Sequence, residues 1–146
     1  MSITLAQAST VVDVALKKAR ELNQMKQTVV VLDPGGHVVC AKREDGAGIL
    51  RYEIAFGKAY GALGMGWGSR TSGERFAQNP NFLTALVGAS GGRLVPNPGG
   101  VLIRDANNVI VGVVGISGDN ADNDELIAIA GIEAAGLKAD PGGTKK

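Results

Sequence analysis

Two stretches of this chain share a pattern that suits antiparallel β-hairpins and little else. Thr28–Leu32 is apolar and rich in β-branched residues, Asp33-Pro34-Gly35-Gly36 follows, and His37–Arg43 resumes as a second run. Further on, Gly100–Arg104 leads into Asp105-Ala106-Asn107-Asn108 and then Val109–Ile116. An aspartate opens each turn, Asp33 in the first and Asp105 in the second. Gly35-Gly36 and Asn107-Asn108 hold matching places, and both residue types tolerate left-handed backbone. Each stretch therefore predicts a hairpin, and Arg93–Val95 is read as a short fifth strand.

Helical patterns surround the hairpins. Thr4 with Gln7 three residues on is a capping box. Leu5, Ala8, Val12, Ala15, Ala19 and Leu22 then recur at helical spacing, so the first helix is amphipathic. Leu50–Met65 lacks proline and has few β-branched residues; it reads as a helix with Tyr52, Phe56 and Tyr60 on one face. Met65–Gly73 reads as a loop, with Thr71 or Ser72 capping a short turn. Asn79-Pro80 opens a short helix to Val87. Leu126–Leu137 is a final helix behind an acidic start, with Asp122 or a neighbour as its cap. Hairpins grouped between helices predict an α+β domain: an antiparallel sheet of about five strands flanked by helices, not alternating βαβ units. One domain over residues 1–139 and a polar tail over 140–146 are expected.

Composition excludes several classes. Fifteen Lys and Arg against fourteen Asp and Glu leave a net charge of +1, so no basic field marks a nucleic-acid binder. No apolar run approaches the ~20 residues of a membrane-spanning helix. The single cysteine, Cys40, rules out an internal disulfide framework. With no signal-peptide pattern at the N-terminus, the expected location is the cytoplasm. Val109–Val114 is apolar on both faces and the final helix is apolar almost all round. Both call for burial on several sides, and a second copy of the chain is the simplest cover, with the long middle segment as the alternative.

The chemistry-bearing residues are sparse. His37 is the sole histidine, so it cannot build a multi-histidine metal site. It can serve as one axial ligand to haem or as a lone acid or base. Alternation sets His37, Val39, Ala41 and Arg43 on one face of their strand, and Val38, Cys40 and Lys42 on the other. Arg43, Arg51, Arg70 and Arg93 can between them fork onto an anion, though any one of them is more often a solvated surface arginine than a ligand contact. The Asp119–Glu125 run lacks the glycine and distal glutamate of an EF-hand, and no phosphate-binding or nucleophile-elbow motif is present. A pocket is expected where Arg43 and Asp45 meet the helix bearing Tyr52 and Glu53 and the Ser90-Gly91-Gly92-Arg93 loop, whose glycines would present N–H groups to an anion.

The chain also resembles the GlcG/HbpS family, which is related to the C-terminal domain of PduO-type proteins. The resemblance rests on Val30–Val39 with its Asp33-Pro34-Gly35-Gly36-His37 core, on Arg43-Glu44-Asp45-Gly46-Ala47, and on Ile54-Ala55 with Lys58-Ala59. It continues through Ser90-Gly91-Gly92, Pro98-Gly99-Gly100, Gly115-Ile116-Ser117-Gly118-Asp119, Asn123-Asp124-Glu125 and Ala130-Gly131-Ile132. It implies a profilin-like or PAS-like domain that assembles into oligomers and, as in several members, binds haem, with His37 as the candidate metal ligand. Family members often carry methionine where this chain has Glu44, which puts a charge near the expected pocket.

Two function classes follow. One is a small-ligand protein that binds or handles haem or a related anion, with Arg43, Tyr52, Ser90, Gly91, Gly92 and Arg93 lining the site. The other is a cofactor-free isomerase, hydratase or lyase acting on a small anionic metabolite, with Asp45, Glu53 and Arg70, besides His37, as candidate catalytic groups. Both expect a small-molecule ligand and a homo-oligomer, with neither nucleic acid nor membrane as partner.

Overall fold

The computed structural model describes residues 1–143. In chain order the elements are α1 (Leu5–Glu21), β1 (Thr28–Leu32), β2 (Val38–Arg43), α2 (Arg51–Met65), α3 (Ser69–Phe76), α4 (Pro80–Ala89), β3 (Gly100–Arg104), β4 (Ile110–Ser117), α5 (Ala121–Ala134) and β5 (Lys138–Asp140). The strands form one antiparallel sheet in the order β2-β1-β4-β3-β5. The α+β class expected from the sequence is the one observed.

Both hairpin turns form as the sequence reads. Asp33 Oδ1 accepts from the N–H of Gly35 at 2.9 Å and of His37 at 3.0 Å. Asp105 Oδ1 does the same for Asn107 at 2.9 Å and Val109 at 3.0 Å. Gly36 and Asn108, at matching places, take positive φ of 85° and 67°. The Thr4 capping box forms in full at the start of α1. Such a cap contributes about 0.5–2 kcal/mol.

The sheet is a middle layer. On one face Ala8, Val11, Val12, Ala15 and Ala19 of α1 pack with Ile127, Ala128 and Ile132 of α5 over Val29, Val31, Val101, Ile103 and Ile116. On the other, Ala55, Ala59 and Ala62 of α2 lie over Val30, Leu32, Leu102 and Val113. Small residues bring α2 close to the sheet. An added Cβ on Gly100 would stand 2.2 Å from the Lys58 carbonyl oxygen.

Several expectations need correction. β4 is buried on both faces by the chain's own helices, because the middle segment folds over the second face as α2; the sheet therefore needs no second copy to cover it. The fifth strand is β5, not Arg93–Val95, where a single backbone bond from Val95 N–H to the Gly57 carbonyl replaces strand pairing. The polar tail starts later than residue 140. Asp140 pairs with Leu102 and binds Arg104 at 2.9 Å, and Gly143 N–H reaches Thr71 Oγ1 at 2.8 Å. The rest of the expected tail, 144–146, lies outside the described residues. Ser69–Phe76 is helical rather than looped, with Gly68 at its N-cap. At the acidic start of α5 the cap is Asn120, a neighbour of Asp122 as the sequence allows. Leu5 and Leu22 are exposed at the ends of α1. A bulge opposite Val31/Leu32 breaks the alternation of β2, so Val39 and Cys40 both pack against the α1/α5 cluster.

Candidate functional site

The hairpin turn after β1 rests on the C-terminal half of α2. A Cβ on Gly36 would stand 3.0 Å from the Tyr60 ring, so the turn sits directly against it. Tyr60 stacks on Phe56 with ring centroids 5.6 Å apart, and Phe56 meets Tyr52 at 6.1 Å; the aromatic stripe read from the sequence is real. On the far side of Tyr60 the Arg93 guanidinium lies over the ring, 4.2 Å from its centroid.

A groove runs past both sides of Tyr60. One hollow, of about 240 Å³, lies between α2 and the end of α4, against Met65, Leu86 and Arg93. The other, of about 200 Å³, lies under Pro34, Gly36 and Leu63. Tyr60 and Gly64 line both. Nothing lies within 4 Å of the place a Gly64 side chain would take. The groove is open there because residue 64 has no Cβ.

His37 follows the turn that packs on Tyr60 but lines neither hollow. Its side chain is 81% exposed, with Nδ1 3.4 Å from Asp33 Oδ1. That carboxyl is held below its usual range, first by the His37 backbone N–H and then by Gly35 N–H and the imidazole charge, against an opposing effect of burial. With Nδ1 turned to Asp33, Nε2 is the nitrogen left for a ligand.

The expected pocket does not assemble as one unit. Thr28 pairs with Arg43 and Leu32 with Val38, so Arg43 and Asp45 lie at the opposite end of β2 from the His37 turn. Arg93 and Ser90 lie with Tyr60, not with Arg43. Gly91 and Gly92 close the C-terminus of α4: their N–H groups bond the carbonyls of Gly88 at 3.1 Å and Val87 at 2.8 Å. Those donors, and Arg93 N–H on Ser90 Oγ, are spent on the chain and do not cradle an anion. Glu53 and Asp45 are exposed. Arg70 is committed to Asp122 and to Glu125, 3.0 Å away, which hold its guanidinium charged. Glu44, the departure from the family pattern, is a structural anchor. It accepts from Arg20 Nε and from Gln27 N–H, both at 2.8 Å.

Sequence reasoning missed a buried ion pair. Lys58 of α2 and Asp124 of α5 meet at 3.0 Å, with side chains 4% and 1% exposed. The signal was present: Lys58 falls between Ala55 and Ala62 on the apolar face of α2, and Asp124 precedes Ile127 and Ala128 on that of α5. A charge at a core position of a helix is rarely left unpaired.

The comparisons with known proteins agree with this architecture. The chain matches the family model described as haem degrading protein HbpS-like over residues 3–133, and it belongs to that family. A Citrobacter freundii protein described as an uncharacterized 15.0 kDa protein in the dhaT-dhaS intergenic region is 30% identical over 127 residues, 87% of each chain. Klebsiella pneumoniae protein ORFY is 29% identical, with a TM-score of 0.79 over 92% of this chain and 90% of that one. HbpS is 27% identical, with a TM-score of 0.78 over 91% and 89%. A PduOC:heme complex shares the fold at a TM-score of 0.84 over the whole of both chains, at 22% identity. Among the described residues no helix is long and apolar enough to cross a membrane.

Proposed function

We propose that the chain is a cytoplasmic small-ligand protein that binds or handles haem, or a related planar anion, in the groove beside Tyr60. The observation that carries this reading is the combination of a carboxylate-oriented imidazole, an apolar trough and a cation. His37 would ligate the iron through Nε2, with Asp33 fixing its tautomer. Tyr60, Leu63 and Leu86 supply apolar walls, and Arg93 supplies charge for a propionate. The glycine at residue 64 leaves the space such a ring needs. Bound haem would bring an iron centre with coordination positions for a further ligand. The description of the family as haem degrading, and the likeness to HbpS, support the reading.

Added haemin should give a sharpened Soret band. His37→Ala should weaken that band, and Gly64→Leu should weaken it by filling the groove. A band indifferent to both substitutions places the ligand elsewhere.

The groove also bears on assembly. Each hollow is smaller than the roughly 300–1,000 Å³ of an enclosing small-molecule site, so one chain covers one side of a planar ligand. Beside it, α4 buries none of its residues, and its Phe82 and Val87 are exposed. A second copy seated on this surface would close the groove. Light scattering should then give at least twice the 14.9 kDa chain mass. A monomer at micromolar concentration defeats this arrangement.

A further inference from the structure

Removing two charges from water costs most of what their attraction returns, so a buried ion pair is weak evidence for stability. Lys58 and Asp124 are buried at the wall of an open cleft, not in the middle of a core. The cleft measures about 270 Å³ and is also lined by Arg51, Asn97 and Ser117. It runs along α2 from Arg51 to Lys58 and shares no lining residue with the hollows at Tyr60.

Its donors are only partly used. Lys58 Nζ donates to the Ile116 carbonyl at 2.9 Å and to Asp124 Oδ2 at 3.0 Å, which leaves the third ammonium N–H uncommitted. Arg51 Nη1 donates to Ser117 Oγ at 3.1 Å. Among the described residues no carboxylate pairs with Arg51, whereas Arg20, Arg70 and Arg104 each hold one. Thr28, the cross-strand neighbour of Ser117, carries a buried hydroxyl with no hydrogen-bond partner.

The acids at the cleft have partners of their own, and Asp119 is held below its usual carboxyl range by the bonds it accepts and, less strongly, by the Arg51 charge. Asp124 faces Lys58. Asp119 accepts from Met25 N–H and Asn120 N–H, both at 2.7 Å, and from Asn123 Nδ2 at 2.9 Å. Beyond Arg51 a second hollow, of about 430 Å³, is lined by Lys26 and three glycines and has no acidic side chain on its wall. On that side of Arg51 the charge is positive.

We infer that this cleft is a second binding site, for a small organic oxyanion, separate from the groove at Tyr60. The planar fork of Arg51 takes a carboxylate or phosphate head, and Lys58 meets a further oxygen of the same molecule. The cleft's size admits a molecule of few heavy atoms.

Calorimetric titration with malonate and with inorganic phosphate tests this on the intact chain. At least one probe should bind saturably. Arg51→Gln should weaken it about tenfold or more, Arg51→Lys should retain part of the affinity, and Arg93→Gln should leave it unchanged. Malonate binding alone identifies a carboxylate ligand, and phosphate binding alone a phosphate ester. Should Arg51→Gln melt early, Asn97→Ala at the exposed rim carries the same comparison and should also weaken binding. Failure of both probes to bind, or affinity indifferent to the substitutions at residues 51 and 97, overturns the site. The haemin band of Arg51→Gln should match the parent, so failure here is distinct from failure at the Tyr60 groove.

Discussion

Lys58→Ala should cost about 3–5 kcal/mol of folding stability, among the largest losses any single side chain here can produce. The loss comes less from the attraction removed than from the carboxylate left behind. Asp124 is 1% exposed, and without Lys58 it keeps only uncharged partners, the Asp119 N–H at 3.0 Å and the Gln27 side chain. Burial already pushes the Asp124 carboxyl up and the Lys58 ammonium down, and each partner only offsets the shift of the other. Desolvation therefore opposes both charges in the folded state. Lys58→Met with Asp124→Leu together should cost much less than the two single changes summed, because no uncompensated charge stays buried. The sign of the pH effect in Lys58→Met follows from the carboxyl alone. A carboxyl raised in the folded state binds more protons there than in the unfolded chain, so stability recovers as pH falls into the carboxylate range. The deficit of Lys58→Met should thus be smaller near about pH 4 than near about pH 7. Urea unfolding of the parent, Lys58→Ala, the two other single variants and the double variant measures all of this. A Lys58→Ala deficit below about 1 kcal/mol would mean that water reaches the pair freely.

The fold was legible where local chemistry and tertiary demand agree. The Asp33 and Asp105 turns, the Thr4 capping box and the Asn79-Pro80 helix start are short-range patterns, each closed by its own hydrogen bonds. The first hairpin, the second and their antiparallel sense follow from them. β5 was not legible, because Lys138-Ala139-Asp140 has no strand signature; it pairs with β3 because α5 delivers it there, with Arg104 ready for Asp140. The same holds for α3, whose sequence is glycine- and serine-rich. Its Ser69 hydroxyl is bound to the Asn97 carbonyl at 2.6 Å and to Gly100 N–H at 2.7 Å, so tertiary bonds select the helix.

The candidate sites were legible only in part. His37, Tyr60 and Arg93 were each visible in the sequence; the structure sets Arg93 over the Tyr60 ring and His37 just after the turn that packs on it. Arg43 and Asp45 were grouped with them wrongly, since sequence order does not show which end of a hairpin a helix crosses. Gly91-Gly92 resembled an anion cradle, yet the same left-handed glycines are what a helix C-terminus needs. Lys58-Ala59 and Asn123-Asp124-Glu125 stood out separately as family segments, and their meeting at the end of the central strand β4 needed the fold.

Gly115→Ala should destabilise by more than about 3 kcal/mol, the upper part of the range for overpacked cores. A Cβ on Gly115 would stand 1.9 Å from the Ala55 carbonyl oxygen and 2.9 Å from Ala59 Cβ. The first obstacle is backbone, so no rotamer change relieves it. Gly115 pairs with Gly100 on the neighbouring strand, and a Cβ there would meet the Lys58 carbonyl. Together the two glycines form a trough across β3 and β4 in which the α2 backbone lies. Adding a methyl group lifts the helix and loosens Ala55, Ala59 and Ala62 from Val30, Leu32, Leu102 and Val113, so a packing cost is added to the clash. Gly64→Ala in α2 is the control. Its Cβ meets nothing within 4 Å, and alanine in place of a helical glycine should stabilise by up to about 1 kcal/mol. Chemical denaturation of both variants separates close approach from helix propensity. Equal midpoints would show that α2 can rise off the sheet at little cost. Because α2 lines both the Tyr60 groove and the Lys58 cleft, a Gly115→Ala chain that still folds should also bind haemin and small oxyanions more weakly than its parent. The depth of α2 in that trough sets the width of both clefts at once.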